Sequence, residues 1–264
     1  LGWDVRSPLI TFYLSEICPT YRNPRILLDG EGRGYAALAG RPKGDPSWDG
    51  VVGQAAAAMA AVRDGCRFNA KQSDHRRGSY PALAVGASFG GGQKMPGNLA
   101  HSKSNRAGLS MLLDNPAIKR IAGFGNSAFA WYAPKMYRHY SEHLGQLYRR
   151  HPGLQNIFKN SIFPAATFNF GPQVETCDHT DSQNVSYGLC AISALGDFDP
   201  TKGGHLILFD VKLAIEFPPG STILIPSATM RHGNVKIGAE ETRLSFTQYC
   251  AGGLLRWVRY GFQS

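Results

Sequence analysis

The sequence predicts an α+β fold, with a β-sandwich or jelly roll following a helical support. Three observations lead there. After Gly153, short apolar, β-rich stretches recur with turn signals between them. Before it, apolar residues fall at helical spacing. Glycine (31) and proline (16) are frequent, while charged residues make up only 18% of the 264. That mix suits a turn-rich β fold better than a helical bundle. A hydrophobic content of 43% is enough for a sizeable core.

Taken in order, residues 1–50 carry apolar pieces broken by Pro and Gly, such as Ile10 to Ile17 and Arg25 to Leu28. The Ala-rich run Gln54 to Arg63 predicts a helix, with Gly65 placed to end it. Residues 71–106 read as a long loop with a glycine run at 90–92 and the cations Arg76, Arg77, Lys94, Lys103 and Arg106. Loops of that length are functional or disordered, so this one is either a mobile insertion or a basic flap over an anionic ligand. Residues 107–150 read as helical: Leu109, Leu112 and Leu113 share a face, and Pro134 fits the first turn of a helix to Arg149. Its apolar stripe of Met136, Tyr137, Tyr140, Leu144, Leu147 and Tyr148 reads as core and covering surface.

The expected strands are Ser161 to Phe170, Ser186 to Leu195, His205 to Phe209, Leu213 to Phe217, Ser221 to Ile225, Arg231 to Val235 and Thr242 to Tyr249. The simplest organisation is one domain over 1–264, with a mainly helical and loop part over 1–155 and the β core over 156–264.

A net charge of +9 favours an acidic partner such as nucleic acid, although a soluble enzyme that happens to be basic explains it equally well. The five cysteines are odd in number and widely spaced, with no CxxC. That argues against a disulfide framework or zinc ribbon and for a reducing, intracellular compartment. No apolar run reaches the length of a membrane span. The start, Leu1-Gly2-Trp3-Asp4, has neither Met nor a signal-peptide pattern, so the chain reads as either a fragment or a trimmed form, and a targeting segment could lie outside it.

The chemistry centres on Cys177-Asp178-His179-Thr180-Asp181, directly after an expected strand, and on Arg231-His232-Gly233-Asn234, within another. His-x-Asp with a distant second His is the facial-triad pattern for Fe(II). Three ligands on one face of an octahedron leave three positions free, two for a bidentate 2-oxo acid and one for O₂. Zinc also suits these ligands, and His179 alone reads more simply as a turn histidine. Arg243, eleven residues after His232, shifts the balance. On a strand it shares a face with Ser245, and a guanidinium fork beside a hydroxyl makes a carboxylate clamp. Cys177 reads as a small buried residue. His101, His139, His143, His151 and His205 read as structural or surface groups.

The runs HTDSQN, KGGHL, RHGN and RLSFTQY resemble the TET/JBP-type Fe(II)/2-oxoglutarate dioxygenases, most closely small fungal members, over roughly residues 160–258. The resemblance implies a double-stranded β-helix (jelly-roll) core and nuclear oxidation of a nucleobase methyl group in nucleic acid, DNA before RNA. The base would be 5-methylcytosine first, with thymine and N6-methyladenine also fitting. It puts Fe(II) on His179, Asp181 and His232. It assigns the far carboxylate of 2-oxoglutarate to Arg243 and Ser245, with O₂ as the second co-substrate. Asn184 falls on the family's base-bonding Asn and Tyr249 on its base-stacking Tyr. Arg76, Arg77, Lys94 and Lys103 would grip phosphates.

One departure is Ala251, where animal members carry a base-contacting His. That puts the exact base in doubt. A 2-oxoglutarate dioxygenase of small molecules or protein side chains stays open as a separate reading. So do a non-catalytic nucleic-acid-binding module and a cupin-like zinc or sugar binder. No membrane and no obligate protein partner are expected.

Overall fold

The computed structural model describes residues 16–18 and 24–263. Twelve strands and six helices appear among them. The strands are β1 (Glu16–Cys18), β2 (Arg25–Leu28), β3 (Gly34–Gly40), β4 (Ala82–Ser88), β5 (Gly97–Asn98), β6 (Ala165–Asn169), β7 (Cys190–Asp197), β8 (Leu206–Leu208), β9 (Leu213–Ile215), β10 (Thr222–Ile225), β11 (His232–Asn234) and β12 (Thr242–Tyr249). The helices are α1 (Trp48–Gly65), α2 (Ala70–Ser73), α3 (Lys103–Asp114), α4 (Pro116–Tyr132), α5 (Pro134–Arg150) and α6 (Gly252–Arg259).

The large sheet runs β2-β3-β10-β7-β12-β6-β4-β5, and a smaller one runs β1-β9-β8-β11. Between them lies an apolar core of Leu38, Ile192, Leu206, Leu208, Phe217 and Ile223. This is the jelly roll the sequence predicts, and each of the seven expected strands is present, most of them trimmed at the ends. Of the N-terminal piece Ile10 to Ile17, all but Glu16 and Ile17 lies outside the described residues.

The helices form where expected. Asn115 accepts from the N–H groups of Ala117 and Ile118 at 2.9 and 3.2 Å, so an Asn cap and a proline in the first turn start α4. Pro134 likewise starts α5. Leu109, Leu112, Ile118 and Ile121 pack with Met59 of α1 onto Leu83, Phe168, Leu244 and Phe246, the outer face of the large sheet. A second cluster joins Phe129, Tyr140 and Leu144 to Leu254 and Trp257 of α6. Among the described residues no helix is long and apolar enough to cross a membrane.

Two expectations need correction. Residues 71–106 are not a structureless loop: β4 lies inside them and pairs with β6 in the large sheet, Ala84 opposite Thr167. The part before residue 155 is also more than helix and loop, because β2, β3, β4 and β5 supply half of the eight-stranded sheet.

The register positions the site. Side chains alternate across a strand, so β12 sends Leu244 and Phe246 to the helices and Arg243, Ser245, Thr247 and Tyr249 inward. Ser245 stands opposite Asn169, and Thr247 opposite Thr167.

Candidate metal and carboxylate site

His179 and His232 face each other in a short antiparallel bridge, each N–H donating to the other's carbonyl at 3.0 and 2.9 Å. Gly233 allows the close approach, since a Cβ there would lie 2.6 Å from the Thr176 carbonyl oxygen. Asn234 completes the seam: its side chain accepts from the Thr176 N–H and donates to the Val174 carbonyl, both at 3.0 Å. The metal-binding side chains are therefore held by main chain.

Each imidazole turns its Nδ1 to a main-chain carbonyl, Cys177 at 2.8 Å and Met230 at 3.0 Å. This keeps the proton on Nδ1 and presents Nε2 as the free lone pair. Nε2 of His179 lies 3.7 Å from one Asp181 oxygen, and Nε2 of His232 lies 4.0 Å from the other. All three ligand atoms fall within 4.8 Å of one another. The Asp181 N–H is tied to the Ser227 carbonyl at 2.7 Å. Burial, followed by the neighbouring His232, pushes the His179 pKa down to about 4; burial also lowers that of His232. Both rings are neutral at pH 7, the form that binds a metal ion.

Arg243 is only 2% exposed. Its guanidinium lies 5.9 and 6.0 Å from the ring centres of Phe198 and Phe217. One terminal nitrogen donates to the Val174 carbonyl at 3.2 Å, while Nε has no hydrogen-bond partner among the described residues. Burial lowers its pKa to about 10, and Tyr80 offsets this only in part. It remains a cation at neutral pH. A buried, uncompensated cation is costly in an apolar wall and calls for an anion.

Beside it, Ser245 accepts from the Asn169 amide at 2.8 Å, so its own proton is free to donate. Arg243, Ser245, Asn169 and Tyr80 line one cavity with the three metal-binding residues. That donor set fits an octahedral divalent ion carrying a dicarboxylic 2-oxo acid whose far carboxylate reaches Arg243.

A second chamber of about 370 Å³ opens outward, sharing Arg77, Asp181 and Thr247 with the first. Tyr249 and Asn184 line it, as do Arg76 and Arg77. Burial pushes the Tyr249 phenol up to about 12. The Asn184 amide nitrogen is committed inward, to Cys190 Sγ at 3.3 Å and Ser227 Oγ at 3.2 Å, which leaves its oxygen for a ligand. Arg76 is also partly committed: it donates to the Thr180 carbonyl at 2.6 Å and stands 3.6 Å from Asp181. Lys94 and Lys103 are exposed and line neither chamber. Cys177 is exposed rather than buried and does not join the metal-binding group.

Sequence reasoning missed Tyr80, Asn169, Thr167 and Thr247. Strand pairing brings Asn169, Thr167 and Thr247 to the cavity walls, Tyr80 stands just ahead of β4, and no local signal marks any of them.

Fold and site together define a jelly-roll metalloprotein with a two-histidine, one-carboxylate centre and a buried arginine clamp. Among solved structures, the chain is similar to NgTET1 in complex with 5mC DNA, at 15% identity and TM-score 0.56, covering 88% of this chain and 78% of that one. It also aligns with an oxidoreductase of the 2OG-Fe(II) oxygenase family from Burkholderia pseudomallei at 15% identity (TM-score 0.40, 73% of this chain and 76% of that one). A Pseudomonas putida prolyl-4-hydroxylase aligns at 15% (TM-score 0.33, 74% and 87%). The first bears out the resemblance at the level of the fold. No family model matches the sequence, and no curated protein matches it.

Proposed function

We propose that the chain is an Fe(II)/2-oxoglutarate-dependent dioxygenase that oxidises the methyl group of a nucleobase in nucleic acid, with 5-methylcytosine in DNA as the first candidate. The observation that carries the enzyme assignment is the buried Arg243 guanidinium, its Nε without a hydrogen-bond partner among the described residues, at the wall of the cavity that holds His179, Asp181 and His232. A zinc or sugar binder has no use for a buried cation there, and a plain nucleic-acid-binding module has no use for the three metal-binding residues. When bound, Fe(II), 2-oxoglutarate and O₂ supply an oxidant strong enough to take hydrogen from a methyl group, with succinate and CO₂ as co-products.

The chain's own residues do the positioning. His179, Asp181 and His232 would hold the metal, with their tautomers fixed by the Cys177 and Met230 carbonyls. Arg243 and Ser245 would hold the far carboxylate and neutralise it out of water. The outer chamber would take the extruded base, Tyr249 offering a face and the Asn184 oxygen accepting a hydrogen bond. Arg77, which has no ion pair among the described residues, would meet a backbone phosphate at the rim.

The nucleobase reading draws its support from this chamber, the net charge of +9 and the likeness to a structure bound to 5mC DNA. Ala251 is buried, and no base-contacting histidine stands there, which favours a second reading, oxidation of a small molecule or protein side chain. The test is anaerobic binding of Fe(II) and 2-oxoglutarate followed by succinate release with methylated and unmethylated DNA. Release stimulated by methylated DNA supports the first reading. Turnover with only a metabolite or peptide selects the second, and failure to bind 2-oxoglutarate removes both.

A further inference from the structure

On α5, His139 and His143 lie four residues apart, a spacing that puts two helical side chains on one face. Their ring centres stand 4.0 Å apart, with the planes tilted by 48°. Tyr187 reaches them from the segment 182–189, which links Asp181 to β7. Its hydroxyl oxygen lies 2.9 Å from the His139 Nε2, and its ring meets the His139 ring edge-on at 5.6 Å. Gly188 lets that segment press against α5, since a Cβ there would overlap the Tyr140 hydroxyl. None of the three lines either chamber of the site described above. The two histidines are half-buried and Tyr187 is 47% exposed, so an ion can reach them from solvent.

The hydrogens can be assigned. The His143 Nδ1 lies 2.8 Å from the His139 main-chain carbonyl. A carbonyl only accepts, so the proton sits on Nδ1 and Nε2 keeps its lone pair, the usual arrangement in a metal-binding imidazole. Arg259, in the last turn of α6, hydrogen-bonds Tyr187. A guanidinium only donates, so the phenol oxygen accepts from Arg259 and its own proton goes to the His139 Nε2. That nitrogen is therefore a lone pair as well. Burial, then His143 and Arg259, lower the His139 pKa, and Glu142 offsets this in part. The ring is neutral at pH 7, the form a metal ion requires.

The cluster thus offers two imidazole lone pairs and a phenol oxygen in one place. Two ligand atoms about 2.0–2.1 Å from one ion, at right angles around it, stand about 2.9 Å apart. That is the separation of the His139 Nε2 from the Tyr187 oxygen. Right angles belong to tetragonal and octahedral ions rather than to tetrahedral zinc, and nickel(II) and copper(II) combine that geometry with high affinity for imidazole. We propose that His139, His143 and Tyr187 form a second metal site, for a divalent ion of the nickel and copper class, that clips the segment 182–189 to α5. The ion takes the place of the phenol proton, which leaves to solvent, and Arg259 stays as the partner of the resulting phenolate.

The test is calorimetric titration of the untagged, metal-free full chain with nickel(II) at neutral pH, in two buffers of different ionisation enthalpy so that released protons are counted. The wild type should bind two equivalents. His232→Ala should lose only the equivalent held by the jelly-roll site. His143→Gln should keep that one and weaken the other by more than about 100-fold, beyond what loss of an outer-sphere partner costs. Tyr187→Phe should weaken it by at least about tenfold, the scale of one lost charged contact, and abolish its release of a proton. A single equivalent in the wild type that vanishes in His232→Ala overturns the proposal, as does a second equivalent untouched by His143→Gln. Unchanged affinity and proton release in Tyr187→Phe would remove Tyr187 and with it the clip. Anomalous scattering from nickel-soaked wild-type crystals, with a peak expected beside His139, decides the matter if His232→Ala does not fold.

Discussion

Replacing Arg243 by methionine should cost the protein its affinity for 2-oxoglutarate while leaving the ligand-free fold almost as stable. The guanidinium's pKa lies near 10 against an ordinary 12.5. That difference corresponds to roughly 3 kcal/mol of unfavourable burial of charge. Neutral pH lies below both values, so the full cost is present there and fades only as the pH climbs past 10. On the other side stand contacts to Phe198 and Phe217, worth about 0.5–1 kcal/mol each, and one charged hydrogen bond to Val174, worth roughly 1.5 kcal/mol. The Val174 carbonyl keeps its second donor, Asn234. The terms nearly cancel, so Arg243→Met should move the melting temperature by no more than about 4 °C. Wild-type protein with metal should melt several degrees higher in saturating 2-oxoglutarate, and the variant should not respond. Thermal melts with and without Co(II) and 2-oxoglutarate measure both quantities. A ligand-free melting temperature lowered by more than about 10 °C, or an unchanged response to 2-oxoglutarate, would refute the assignment of Arg243 as a guanidinium held for an incoming anion.

His232→Ala should weaken Co(II) binding by more than the roughly 10–100-fold that loss of an outer-sphere partner costs, read by calorimetry; unchanged affinity would exclude residue 232 as a ligand. Gly233→Ala should force β11 away from the Thr176 carbonyl, costing about 1–3 kcal/mol in urea unfolding and reducing metal affinity in parallel; a variant with wild-type stability would show that the seam can yield. Tyr249→Ala should lower succinate release with methylated DNA by roughly 5–100-fold, the scale of one lost base stack, and spare 2-oxoglutarate binding; equal loss of both would make Tyr249 a structural residue. Arg77→Ala should flatten the salt dependence of DNA binding by about one phosphate contact, whereas Lys94→Ala should leave the slope unchanged; the reverse result would move the nucleic-acid path away from the outer chamber.

The metal-binding residues were readable because their pattern is local: His179 and Asp181 are two residues apart, and His232 stands with Gly233 and Asn234 in a recognisable run. Arg243 and Ser245 were readable because strand alternation puts them on one side. The strand β4 was not, since ALAVGAS is buried on both faces, small in side chain and without alternation, so nothing distinguishes it from a glycine-rich loop. The same applies to β3, GYAALAG. Asn169 and Thr167 reach the cavity only through their register with Ser245 and Thr247, about 80 residues further on, and spacing along a chain carries no record of such a pairing. Arg76 looked like a phosphate contact by charge alone, yet it leans on Asp181.

The seam between the two histidines bears on which metal ion the protein carries. Backbone hydrogen bonds, rather than the ion, hold these side chains together, so the site resembles a ready-made socket that a chelator can empty and another ion can refill without unfolding the chain. Such a socket discriminates poorly by shape alone. Zinc and copper, which bind nitrogen and oxygen donors more tightly than ferrous iron, are its natural competitors. Loading in a cell then depends on which ions are available to the folded chain, and the protein is more exposed to mismetallation than to loss of structure.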